Sequence, residues 1–156
     1  MTDASDKNVL TIEQTLAEHG FAVHPIRGMS MMPLLRQGKD SVSIVAISDE
    51  EKRNLKVNDV PLYRLPSGKL VLHRILDVCD GYYLIRGDNL KTFEKIPPKL
   101  IIGKAEGFYR DDVYFAADHP EYLKYVKKVT RFWRLKRIFY YPAYRFASSV
   151  KHKLFN

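Results

Sequence analysis

The 156-residue sequence has one cysteine, Cys79. A lone thiol excludes an internal disulfide framework and suits the cytoplasm or a site facing it. Its neighbours Asp77, Val78 and Asp80 offer no positive charge to favour a thiolate, so Cys79 reads as a buried strand residue. Long hydrophobic runs are missing too. No window of about 18 uninterrupted apolar residues occurs, so no transmembrane helix is expected. The stretch from Met1 to Glu18 is polar and carries Asp3, Asp6, Glu13 and Glu18, unlike a secretory leader. No His/Cys/carboxylate cluster has metal-ligand spacing and no Gly-rich phosphate loop is present, so no cofactor is expected. There is no internal repeat and no low-complexity tract.

What is present points to a folded chain. Hydrophobic residues make up 46% of the sequence, too many for a disordered polymer. The length suits one domain with a real core and an appendage. The net charge is +8, but it is concentrated. Residues 121–156 hold ten Lys/Arg and one acid, Glu121, for a net +9, while the rest of the chain is near −1. The basic character therefore belongs to the tail, not to the body.

Three regions follow from the patterning. Residues 1–20 form an N-terminal segment. Its first eight residues read as a frayed start, and Thr11-Ile12-Glu13-Gln14 is a capping box for a short helix ending near Gly20. Residues 21–117 read as β: runs at Phe21–Ile26, Ser41–Ile47, Val60–Leu65, Leu70–Val78, Tyr82–Arg86 and Leu100–Tyr109, with turns at Gly28, Pro66-Ser67-Gly68-Lys69 and Asp80-Gly81. Pro61 predicts an edge strand or a bulge. Residues 118–156 form a basic, aromatic segment. Asp118-His119-Pro120-Glu121 reads as a helix start with Asp118 as N-cap, and Tyr122, Val126, Val129 and Trp133 make a helical stripe. Pro142 breaks or kinks that helix, and a second piece runs from Tyr144 to Phe155.

Three short motifs could carry chemistry. Ser30 lies in Arg27-Gly28-Met29-Ser30-Met31-Met32-Pro33-Leu34-Leu35, a Gly-containing turn after a strand, where a hydroxyl is sterically open. A serine nucleophile also needs a base in reach and donors for the oxyanion. His73, in Leu70-Val71-Leu72-His73-Arg74-Ile75, has the reference pKa of a base, ~6.5. Asp88, in Arg86-Gly87-Asp88-Asn89, could orient that histidine. Taken singly, each is an ordinary structural feature: a turn serine, a strand histidine and a turn acid bonding its own backbone.

Their order adds weight. The serine turn is followed by Gly38-Lys39-Asp40, Asn58-Asp59-Val60, His73-Arg74-Ile75, Gly87-Asp88-Asn89 and Ile102-Gly103-Lys104. Over about residues 21–108 this succession resembles the serine peptidase superfamily of signal peptidase I and the LexA-type repressors. The resemblance implies a mainly-β fold: a coiled β-sheet or open-barrel catalytic domain, with a short N-terminal helix and basic C-terminal helices. It implies Ser30 as nucleophile, His73 as the base of the Ser-His branch, and Asp88 as the third member. Asp40 and Asp59 match turn aspartates that are mostly structural. Four departures stand out. Gly28 occupies a position where several signal peptidases carry serine, and Asn58 replaces a glycine. Leu90-Lys91-Thr92-Phe93-Glu94 replaces the usual continuation after Gly-Asp-Asn. Neither a membrane anchor nor a helix-turn-helix domain is expected.

The leading expectation is therefore a serine endopeptidase acting on a leader or precursor peptide. A non-catalytic peptide-binding or regulatory module on the same fold is the alternative, and a self-cleaving regulator ranks below both. For residues 121–156, an anionic membrane surface and helix packing rank equally. Nucleic acid ranks third. The expected location is cytoplasmic, peripheral at a membrane if the tail binds lipid.

Overall fold

A computed structural model describes residues 11–131 and 133. The expected frayed start, the break at Pro142 and the second basic piece lie outside the described residues. The chain divides into two compact units, 1–117 and 118–156.

The first unit is mainly β, an open, curled half-barrel sheet with a few short helices. Helix α1 (Ile12–His19) is closed at both ends by the expected devices. Thr11 and Gln14 exchange side-chain and backbone hydrogen bonds as a capping box, and Gly20 ends the helix in the left-handed conformation at φ 77°. The strands are β1 (Phe21–Pro25), β2 (Ser41–Ala46), β3 (Pro61–Arg64), β4 (Leu70–Leu72), β5 (Arg74–Cys79), β6 (Tyr82–Arg86), β7 (Glu94–Ile96), β8 (Ile101–Arg110) and β9 (Val113–Ala116). The larger sheet runs β1-β2-β8-β3-β4, with β9 also paired to β8, and every pairing is antiparallel. The smaller sheet is the meander β5-β6-β7.

The predicted Leu70–Val78 run is two strands. It pairs with β3 through Leu72, gives up pairing at His73, and resumes at Arg74 against β6. The chain changes sheets at that one residue. Both sheets contribute to one core: Tyr63 and Ile101 from the larger, Ile75, Tyr83, Ile85 and Ile96 from the smaller, and Leu55 from the loop before β3. Each such side chain contributes roughly 1.5–3 kcal/mol by leaving water. Gly103 serves the larger sheet by absence. A Cβ there would lie 2.6 Å from the Val45 carbonyl oxygen and 2.9 Å from Ile44 Cγ2, so only glycine lets β2 and β8 approach so closely.

Some expectations are corrected. Pro61 does not mark an edge, because β3 lies between β8 and β4. It opens the strand, where a missing N–H is tolerated, and the register shifts just after it, between Leu62 and Tyr63. The short helix α2 (Asp49–Arg53) was not expected, although Ser48 and Glu51 form a capping box for it. Strand β7 was also missed; it has three residues, too few for an alternation to show.

In the second unit, residues 120–131 are helical. The cap is His119 rather than Asp118: the Glu121 N–H donates to His119 Nδ1 at 3.3 Å, and Pro120 opens the helix. Tyr122, Val126 and Thr130 are buried on one face, while Lys124, Lys127, Lys128 and Arg131 are exposed. Val129 and Trp133 of the expected stripe are half-buried. No helix of the described residues is long and apolar enough to cross a membrane.

Candidate active site

Ser30 sits in the loop that leaves β1. The loop is closed at its base by hydrogen bonds from the Ile26 N–H to the Asp40 carbonyl and from the Gly38 N–H to the Ile26 carbonyl. Asp40, almost fully buried, adds a second closure. Its carboxylate accepts from the Arg36 backbone N–H at 2.7 Å and from the Arg36 guanidinium at 2.7 and 2.9 Å. The Arg36 bonds hold the Asp40 carboxyl below the usual carboxylate range. The long loop is therefore fixed at its base, and Gly28 supplies a left-handed turn within it at φ 87°. Met31, Leu34 and Leu35 anchor it in the core, and Met29 stands out in solvent. Ser30 lies between them, half-buried.

The Gly87-Asp88-Asn89 turn reaches this loop from the end of β6. The Asn89 N–H donates to the Ser30 carbonyl at 2.8 Å, and its side-chain amide donates to the Met29 carbonyl at 3.1 Å. Gly87 also lies close to both Ser30 and His73. A Cβ on Gly87 would lie 2.7 Å from the Ser30 carbonyl oxygen and 3.0 Å from Nε2 of His73. The serine turn and the imidazole therefore meet over one bare α-carbon. Among the described residues, no hydrogen bond joins the Ser30 hydroxyl to His73. Serine–imidazole bonds often tighten only around substrate.

His73 is 5% exposed, at the switch between β4 and β5. Its Nδ1 lies 2.9 Å from Glu94 Oε2 and 3.0 Å from the Tyr63 hydroxyl oxygen. The Tyr63 hydroxyl also donates to Glu94 Oε2. Burial pushes the imidazole below its usual 6.5; the Glu94 hydrogen bond and charge, and the charge of Asp88, pull it back, while Lys69 adds to the depression. The net direction is down, so His73 is neutral at pH 7, as a general base must be. Burial and then Glu94 push the Tyr63 phenol up, which keeps its proton in place.

Asp88 makes a different contact. Its two oxygens accept from Nε and Nη2 of Arg74, both at 2.8 Å, in a bidentate pair with side chains 3% and 0% exposed. The third Arg74 nitrogen donates to the Asn58 carbonyl at 3.1 Å. Asn58 presents that carbonyl from a left-handed backbone, φ 81°, which asparagine tolerates better than most residues. That accounts for the position where the resemblance would have glycine. Thus the arginine of the His-Arg box holds the acid of the Gly-Asp-Asn box. The structure brings Ser30, His73 and the Gly87-Asp88-Asn89 turn together, and fills the Nδ1 side of His73 with Glu94 and Tyr63.

No family model matches the sequence, and no curated protein matches it.

Glu94 and Tyr63 were not among the sequence candidates. Glu94 stands in the segment Leu90–Glu94, which fits none of the short motifs, and that misfit was its only mark. Tyr63 looked like one more apolar residue of a β run. Among the described residues, no group of three or more His, Cys, Asp or Glu side chains could hold a metal ion. What the arrangement offers is proton transfer: a buried neutral imidazole with one nitrogen tied to a carboxylate and the other turned toward a serine turn.

Proposed function

We propose that the chain is a signal-peptidase-like serine endopeptidase that cuts a leader or precursor peptide. Ser30 Oγ attacks the scissile carbonyl carbon. His73 Nε2 takes the hydroxyl proton, then gives it to the leaving amine as the C–N bond breaks. Water, deprotonated by the same nitrogen, releases the acyl group and restores Ser30. Asp88 assists in two ways: its charge favours the imidazolium, and its Arg74 bond fixes the turn that meets Ser30.

The observation that supports this reading most strongly is the approach of Ser30 and His73 Nε2 across Gly87. Two residues 43 positions apart in sequence, each ordinary alone, flank one bare α-carbon, and one of them is a buried neutral imidazole. Incubation of a mixed peptide library with the purified chain tests it. Cleavage that disappears in Ser30→Ala and in His73→Ala supports the peptidase; cleavage retained by Ser30→Ala contradicts it. The missing Ser30–His73 hydrogen bond favours a second reading, a peptide-binding module without turnover. Saturable peptide binding with no cleavage would establish that alternative.

The exposed Lys124, Lys127, Lys128 and Arg131 support an accompanying proposal, that residues 121–156 bind an anionic membrane surface on the cytoplasmic side. Each well-placed cation contributes about 1 kcal/mol there. Co-sedimentation with phosphatidylserine vesicles, lost in high salt, is the expected result. No binding at low salt contradicts it.

A further inference from the structure

We infer that Glu94, anchored by the Tyr63 hydroxyl, is the positioning residue that holds His73 in the Nδ1–H tautomer and leaves the Nε2 lone pair facing the serine turn. Its catalytic meaning rests on the peptidase reading, but the tautomer itself can be measured without it.

The inference follows from counting protons. Three polar atoms converge: His73 Nδ1, Glu94 Oε2 and the Tyr63 hydroxyl oxygen. A carboxylate only accepts, a phenol has one proton, and a neutral imidazole has one N–H. If Nδ1 carries the proton, it donates to Glu94 at 2.9 Å, and Tyr63 donates to the same oxygen. Both short contacts are then satisfied. If Nε2 carries the proton, Nδ1 presents a lone pair and the single Tyr63 proton must serve two acceptors. One contact then sets lone pair against lone pair in a buried site, a desolvation penalty without compensation. The first arrangement wins.

Glu94 holds its place for local reasons. It begins β7, where it pairs with Ile85, and Tyr63 reaches it from β3 of the other sheet. The base is thus held between the two sheets, at the residue where the chain passes from one to the other. The titratable groups that act on His73 are Glu94, Asp88 and Lys69, with the Tyr63 phenol on Nδ1. Of the two acids, Asp88 is bound to Arg74 through both oxygens. Only Glu94 bonds the ring.

The test uses the full chain labelled with ¹⁵N, read by long-range ring-nitrogen NMR at neutral pH, with fluorophosphonate labelling in parallel. In the wild type, Nδ1 is expected as the protonated nitrogen and Nε2 as the bare one. In Glu94→Ala the ring is expected to lose that tautomer, and labelling of Ser30 to slow on the order of 100-fold. Glu94→Gln keeps the side-chain shape and removes the charge. It guards against simple unfolding. In it, the His73 titration and the acid limb of labelling are expected to move to lower pH together, because the carboxylate that raises the imidazole is gone. A wild type with Nε2 protonated overturns the inference, as does a folded Glu94→Gln with unchanged titration. Wild type with Nδ1 protonated but no labelling supports the Glu94 assignment and overturns the peptidase reading instead.

Discussion

The imidazole of His73 lies against the bare α-carbon of Gly87, so close that a β-carbon there would stand 3.0 Å from Nε2 and only 2.7 Å from the Ser30 carbonyl oxygen. One of those neighbours is backbone and cannot swing aside. Gly87→Ala is therefore expected to push the serine turn from the imidazole. It should cost about 1–3 kcal/mol, the usual range for overpacking. Serine labelling should fall far more than that loss of stability explains. A urea melt beside a labelling time course checks both. Wild-type labelling in the variant would mean that the contact is not what brings the two residues together.

Asp88 gives a contrasting prediction. It and Arg74 form a buried bidentate pair that also reaches the Asn58 carbonyl. Removing Asp88 takes the carboxylate away from a buried guanidinium, which typically costs about 3–5 kcal/mol. Asp88→Ala should thus lose stability before any effect on chemistry can be read. Urea unfolding measures it. A loss under about 1 kcal/mol, in the range of an exposed pair, would show that the bond is not a structural clamp.

The histidine predicts a pH dependence of stability. Burial puts the folded His73 below its unfolded value of 6.5. Between those two values the unfolded chain binds a proton that the native chain does not, so stability rises with pH. Above about pH 7.5 this contribution should be flat; as pH falls through about 6.5 stability should be lost. His24, also depressed by burial and by Arg27, adds a slope of the same sign. The slope specific to His73 is therefore the difference between wild type and His73→Asn. Urea midpoints at several pH values give it. An equal slope in both proteins would contradict a depressed His73.

The sequence carried much of the fold because local chemistry agrees with it. The Thr11–Gln14 capping box and Gly20 bound α1, Asp80-Gly81 turns β5 into β6, and Tyr82–Arg86 is β6 residue for residue. What escaped included three-residue β7, β9 and the sheet change hidden inside an unbroken Leu- and Val-rich run at His73, all set by tertiary contact, and also α2, whose Ser48–Glu51 capping box is a local signal. The site followed the same division. The order of short motifs singled out Ser30 and His73, which the structure places beside one another at Gly87. The partner of His73 Nδ1 was not, because Glu94 is 21 residues away and its segment matches no expected box. The same order marked Asp88 beside them, but its bond to Arg74 depends on how β5 and β6 pair, Arg74 opposite Arg86, and no spacing rule reports that.

The core offers a check that is independent of the site. Ile85 is fully buried in the cluster shared by the two sheets. Ile85→Ala should cost about 2–5 kcal/mol in a single cooperative urea transition. Two separate transitions within residues 1–117 would contradict a common core.

The central claim is that Ser30 is a nucleophile activated by His73. The most direct measurement is reaction of the native chain with a fluorophosphonate, with the adduct located by mass spectrometry of the digested protein. The account predicts one phosphonyl group on the peptide containing Ser30, absent in Ser30→Ala and strongly reduced in folded His73→Ala. A native chain that takes up no label at Ser30, or labels equally well without His73, would contradict it.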